Sequence, residues 1–310
     1  MVNLEPEQIS EKISRIAMNK RRKLPPINDG SIPLLPKEFD EFNQKIGLPL
    51  HPETLKPSLI LDYQMEYNKL WRENHKLIFN KSRKIGATET GLRTICQGCF
   101  NQYRGHKVMI VAGNGIEHAY EFMEKFNNLF YGPKDKGWED LNKKQWAYSD
   151  LVDSYRKSRI DLSSGVTINS YAAVPNALRS QENVKCVFIS EAAHINRLED
   201  RNVYNAIRPI AANDPNVDFI MESTPNGKRG FFYDIWTKDP TYTQLEIPYT
   251  RALDRIISRD FIEQEKKNPF INFAQEYECQ FTTSLSSAFD EDVVNEIYKP
   301  LKMTDYSNIL

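Results

Sequence analysis

The sequence predicts an α/β protein: a mostly parallel sheet with helices on both faces. Three observations carry that prediction. Short segments such as "LIF", "VMIVA", "CVFI" and "FIM" are continuously apolar, as expected of strands covered on both faces. Segments of helical spacing lie between them, and alternating strand and helix argues for parallel pairing. The polar residues able to do chemistry fall just after the apolar runs, at the sheet edge where open α/β folds bind ligands.

Taken in order, residues 1–57 read as an N-terminal extension, since "NKRRKLPPINDGSIPLLPKEF" is rich in proline and polar residues. Its "KRRK" reads first as a solvated basic turn, with a DNA-touching patch as the other reading. The texture then changes, and residues 58–248 read as the core. "LILDYQMEYNKLWREN" has helical spacing, "HKLIFNKS" reads as a buried strand and "ATETGLRTICQGCFNQY" as a helix. "KVMIVAG" is a second strand, followed by the amphipathic "GIEHAYEFMEKFNNLFY". From Gly132 to Arg159 no period is clear. "GVTINSYAA", "VKCVFISEAAHI" and "VDFIMESTPNG" supply three further strands. Residues 249–310 read as mostly helical and polar, a lid and linker region.

Bulk properties narrow the function. The 310 residues are 40% apolar and 27% charged, ordinary values for a soluble globular protein. A net charge of −1 excludes an overall basic footprint, so nucleic acid would have to be met by a local patch or by several subunits together. Four cysteines suggest a reducing compartment. The start of the chain has no signal pattern, and no apolar run approaches a membrane span.

The stretch "KSRKIGATET" has nearly the form of a phosphate-binding loop. Such a loop needs a tight turn with its N–H groups facing the phosphates and a helix N-terminus behind it. It also needs a cation for the β- and γ-phosphates and a hydroxyl for Mg²⁺. Gly86 supplies the turn, Ala87 opens the helix, and Thr88 stands where the hydroxyl belongs. No lysine follows Gly86. Lys81, Arg83 and Lys84 instead precede it, and a long side chain from Lys81 can reach across the loop. Glu191 ends an apolar strand, where an ATPase places the acid that orients or deprotonates the attacking water. Ser190 stands before it, where aspartate is usual. Ser223 and Thr224 end another strand, before the turn Pro225-Asn226-Gly227. Cys96 and Cys99 share a predicted helix with no second cysteine pair, so they read as core residues. His194 has no other histidine at metal-ligand spacing and reads as structural.

With those residues in hand, the chain resembles the ATPase domain of large terminase subunits, the motors that package viral DNA, over roughly residues 58–290. "LDYQMEY", "KSRKIGAT", "VKCVFISEAAHI" and "STPNG" carry the resemblance. It implies a P-loop NTPase core of the ASCE/RecA-like type, with ATP and Mg²⁺ as cofactors. Gln64 then reads the adenine. Lys81, Ser82, Lys84, Ile85, Gly86, Ala87, Thr88 and Glu89 form a Walker A loop of the variant kind that carries its lysine at the start. Arg83 takes the place of the loop arginine and, with Lys81 and Glu191, belongs to the catalytic set. Thr88, Ser190 and Glu191 are the expected metal-side residues of Walker A and Walker B. Ser223, Thr224 and Asn226 form the coupling motif, and Arg179 in "NALRS" is the candidate arginine finger.

The resemblance further implies double-stranded DNA, a portal protein and a small terminase subunit as partners. It implies a homo-oligomeric ring, no membrane, and the host-cell cytoplasm as the place of action. Full terminases continue into a nuclease domain. The single acidic cluster in "FDEDVV" cannot make a two-metal site, so no nuclease activity is expected from this chain, and cutting would fall to a separate nuclease. Two other readings stay open at this point. One is a helicase-like ATPase, which needs a second motor domain. The other is a non-hydrolysing scaffold or DNA-binding protein, suggested by the absent loop lysine and by Ser190.

Overall fold

The computed structural model describes residues 35–51, 54, 56–131 and 151–282. Eight strands form one sheet: β1 (Lys76–Lys81), β2 (Lys107–Ala112), β3 (Val152–Arg156), β4 (Arg159–Leu162), β5 (Thr167–Ala172), β6 (Val184–Ser190), β7 (Asp218–Ser223) and β8 (Thr243–Ile247). Their spatial order is β3-β4-β5-β2-β6-β7-β1-β8. Every pairing from β5 across to β8 is parallel, while β3, β4 and β5 pair antiparallel at one edge. The central strands β2, β6, β7 and β1 are buried almost throughout, which is why their middles are apolar runs, with the polar residues gathered toward the strand ends.

Successive residues of each strand face opposite layers, as the pleat requires. Leu77, Phe79, Val108, Ile110, Cys186, Phe188 and Ile220 meet the helices Asp62–Glu73, Ala87–Cys99 and Ile116–Tyr131. Ile78, Met109, Val187, Ile189, Phe219 and Met221 meet the helices Asp200–Asn213 and Gly230–Lys238. All four cysteines are free and buried, and Cys96 and Cys99 lie in the first of these layers. Among the described residues no helix is long and apolar enough to cross a membrane.

Three features differ from the sequence expectation. Within the expected extension, helix Phe39–Ile46 docks on the core through Phe39, Phe42 and Ile46. Arg93 ties it down, donating from Nη1 to Asn43 Oδ1 at 2.8 Å and to the Gly47 carbonyl at 2.5 Å. The end of the stretch without a clear period holds the edge strand β3, and β4 begins where that stretch ends. Its signal is weak because β3 has no fully buried residue, so no apolar alternation is demanded of it. The strand β8, short and half-buried, also lacks the apolar run that marks the others. The "KRRK" cluster and the acids of "FDEDVV" lie outside the described residues.

Candidate active site

The C-terminal ends of β1, β2, β6, β7 and β8 open onto one edge of the sheet, and the chemistry-bearing residues collect there. The chain leaves β1 in a tight turn, Ser82–Gly86. The Ser82 N–H donates to the Ile247 carbonyl of β8, and the Arg83 N–H donates to the Glu276 carbonyl, both at 2.9 Å. Lys84 and Gly86 have left-handed backbones, φ 58° and 72°. Glycine holds that conformation without steric cost. Ile85 buries its side chain, and its carbonyl accepts the Tyr63 hydroxyl. Gly86 then opens helix Ala87–Cys99, whose free N–H groups and dipole face the turn.

Lys81 points into the site. Its ammonium Nζ lies 2.6 Å from Glu191 Oε1, and the two side chains are only 7% and 16% exposed. Burial disfavours the Lys81 charge, but Glu191 and Glu222 outweigh it and hold its pKa above the ordinary lysine value. Burial likewise pushes Glu191 up, yet the adjoining Lys81 charge and hydrogen bond prevail, so its carboxyl sits below the usual range. The pair therefore stands charged at neutral pH, with Glu191 as a carboxylate able to accept a proton.

A second buried acid lies beside this pair. Glu222 of β7 is fully buried, and its Oε1 accepts the Thr88 hydroxyl at 2.7 Å and the Ser190 hydroxyl at 3.1 Å. The Tyr67 hydroxyl donates to Oε2 at 3.2 Å. Burial raises the Glu222 pKa above the ordinary carboxylate value, with Lys81 opposing and the Glu191 charge adding to the rise. Reading motif by motif passes over Glu222. A charged residue inside the apolar run "FIMES" is the signal that finds it.

The ends of β6 and β7 are knitted together. Ser223 Oγ accepts the Ala193 N–H at 3.1 Å, and Asn226 Nδ2 donates to the Ala193 carbonyl at 3.1 Å. His194, expected to be merely structural, belongs to this junction: Nε2 lies 2.8 Å from Thr224 Oγ1 and 4.0 Å from Glu191 Oε2. Glu191 itself has φ 53°, uncommon for a residue with a side chain.

Gln64 sits behind the turn. Its Oε1 accepts the Leu61 N–H at 2.9 Å, which fixes the start of its helix, and the side chain lines a cavity of about 470 Å³. Gly86, Lys84 and Glu89 line the same cavity, with Leu50, Ile257 and Phe261 as apolar wall. Its mix of flat apolar contacts and one amide suits a heterocyclic base. Ala87 is buried, and Glu89 Oε1 accepts from Arg93 Nε at 2.7 Å. Two expected residues lie apart from the charged cluster. The Arg83 side chain is 58% exposed and pairs with Glu276 at 3.4 Å, because its backbone is drawn to that segment. Arg179 is exposed after the short helix Pro175–Leu178, on the run back toward the start of β6. A larger cavity, about 770 Å³, lies elsewhere, near the start of β1 and between Arg208 and Lys238.

Thr88, Ser190 and Glu222 bring three oxygen groups together beside a helix N-terminus. This set fits a hard cation shared with phosphate oxygens. Among the described residues no group of three or more His, Cys, Asp or Glu side chains forms a closed metal cage. That is the ordinary situation for Mg²⁺, which is held by one or two carboxylates, water and the substrate's phosphates.

A family model described as terminase large subunit, T4likevirus-type, N-terminal, matches residues 78–295, more than half of the chain. The isolated ATPase domain of the Thermus phage P74-26 large terminase superimposes with a TM-score of 0.53 at 16% identity, covering 81% of this chain and 100% of that domain. The large terminase of bacteriophage HK97 gives a TM-score of 0.59 at 13% identity, covering 78% of this chain and 54% of its own length. A large terminase of a thermophilic bacteriophage, solved in complex with ADP, gives 0.50 at 11% identity, over 72% of this chain and 54% of that one. The chain thus spans a whole terminase ATPase domain but about half of the longer terminases. The sheet is the mostly parallel, helix-flanked sheet of those domains, with a P-loop NTPase-like fold. By its family match and its fold, the chain belongs to the terminase large subunit family, T4likevirus-type, and its role is in viral DNA packaging.

Proposed function

We propose that this chain hydrolyses ATP to drive double-stranded DNA into a procapsid. The observation that carries this reading is the buried Lys81–Glu191 pair at 2.6 Å beside the Ser82–Gly86 turn. A general base must be ionised and within reach of the reacting water, and a phosphate site must bring a cation to the same place. The relative that holds ADP supports nucleotide as the ligand.

In this reading the adenine takes the cavity beside Gln64, with Ile257 and Phe261 as its apolar wall. The phosphates lie over the N–H groups of Lys84–Thr88, since those of Ser82 and Arg83 are already taken by the Ile247 and Glu276 carbonyls, and Lys81 neutralises their charge. Thr88 and the oxygens around it would hold Mg²⁺, which would supply Lewis-acid stabilisation of phosphate charge. Glu191 accepts the proton of the attacking water. Its two neighbours carry the outcome outward: His194 contacts Thr224, and Ala193 contacts Ser223 and Asn226. The segments after β8 that line the base cavity would move with that junction. Arg179, which is exposed, would in this reading serve a neighbouring subunit of a homo-oligomeric ring. Portal protein and small terminase subunit complete the proposed assembly, in the host-cell cytoplasm.

The test is ATP hydrolysis by the chain with double-stranded DNA and its partner subunits. Glu191→Gln is expected to keep nucleotide affinity while hydrolysis falls by at least about 10²-fold, the usual contribution of a positioned base. Lys81→Ala is expected to lose both affinity and turnover. No hydrolysis by wild type under these conditions would overturn the motor reading. Wild-type turnover in Lys81→Ala would overturn the role given to that lysine alone.

A further inference from the structure

In the expected pattern the residue before the catalytic glutamate is an acid that holds Mg²⁺ through water, and this chain has Ser190 there. The sheet shows where a carboxylate has gone instead. Ser190 of β6 and Glu222 of β7 are direct register partners. The strand β7 lies between β6 and β1, so Glu222 stands one strand nearer the phosphate turn than position 190 does. We propose that Glu222 is the acid of the Mg²⁺ shell in this protein, moved by one strand from the usual position, and that it orients the Thr88 hydroxyl toward the cation.

Three contacts support the assignment. Thr88 Oγ1 donates to Glu222 Oε1 at 2.7 Å, which turns the hydroxyl lone pairs away from Glu222 and toward the site. An acceptor behind a ligating group fixes its orientation and raises its basicity. Ser190 Oγ donates to the same oxygen at 3.1 Å, so the residue that replaces the usual acid now supports the relocated one. The Tyr67 hydroxyl holds the other oxygen at 3.2 Å. A fully buried carboxylate is costly unless paired; Lys81 opposes that cost without forming a direct ion pair with Glu222. A divalent cation held by Thr88 would offset more of that cost.

The inference rests on the ATPase reading, and one experiment separates the two. Affinity for a non-hydrolysable ATP analogue is measured on the full chain by calorimetry, in EDTA and in excess Mg²⁺. Three proteins are compared: wild type, Glu222→Gln, and the double variant Ser190→Asp with Glu222→Ser, which returns the acid to its usual strand. Wild type is expected to bind more tightly with Mg²⁺. Glu222→Gln is expected to match wild type in EDTA but to lose about 10-fold or more of the Mg²⁺-dependent gain, the usual cost of removing a partner behind a metal ligand. The double variant is expected to regain most of it. An undiminished Mg²⁺ gain in Glu222→Gln overturns the inference, as does an equal loss with and without the metal, which marks a purely structural role. If Glu222→Gln does not fold, the double variant decides alone: folded and responsive to Mg²⁺ supports the relocation, folded and unresponsive refutes it. Wild type that binds no nucleotide in either condition removes the ATPase reading itself, and the inference with it.

Discussion

Glu191 carries a left-handed backbone, φ 53°, and the neighbour that permits it is Gly113 at the end of β2. A Cβ added to Gly113 would stand 2.1 Å from the Glu191 carbonyl oxygen and 2.9 Å from its carbon. These are backbone atoms held by the pairing of Ala112 with Ser190 and by the Gly113 N–H to the Ser190 carbonyl at 2.9 Å, so they cannot step aside cheaply. Gly113→Ala is therefore expected to cost about 1–3 kcal/mol, the range for overpacking. Hydrolysis should fall further than stability alone explains, because Glu191 is displaced. Denaturant melts and turnover measured together check this, and a variant indistinguishable from wild type in both would refute the close approach.

At the scale of elements, helix Phe39–Ile46 is part of the core. Phe42 is fully buried, and truncating it to alanine is expected to cost about 3–5 kcal/mol in urea unfolding. A cost below about 1 kcal/mol would mean that this helix is only draped on the surface. The sequence hides this helix because prolines and charges surround it, so its three apolar residues, spaced by three and four, make a short pattern framed by loop-like residues. The central strands were legible for the opposite reason: burial on both faces keeps their middles apolar, and the run shows through. The edge strand β3, the four-residue β4 and the half-buried edge strand β8 are not covered on both faces throughout and left little trace.

At the scale of the whole molecule, the site is a product of strand order. Its residues come from β1, β6 and β7 and from the turns after them, and only the order β6-β7-β1 brings them together. Local patterns pointed to Lys81, Thr88 and Glu191, because each stands at a strand end or helix start that a short stretch reveals. They did not disclose that Lys81 turns inward to Glu191, that Arg83 turns outward to Glu276, or that Glu222 faces Ser190 across a strand boundary. Each of those depends on which strands are neighbours.

The central claim is that this edge is an ATP site with its cation moved to Lys81. The most direct measurement is a crystal structure of the chain with Mg²⁺ and a non-hydrolysable ATP analogue. The predicted result places the triphosphate over Lys84–Thr88 with Lys81 Nζ on its outer phosphates and the base beside Gln64. A nucleotide seated instead in the cavity between Arg208 and Lys238, or a Lys81 side chain turned away from the phosphates, would contradict it.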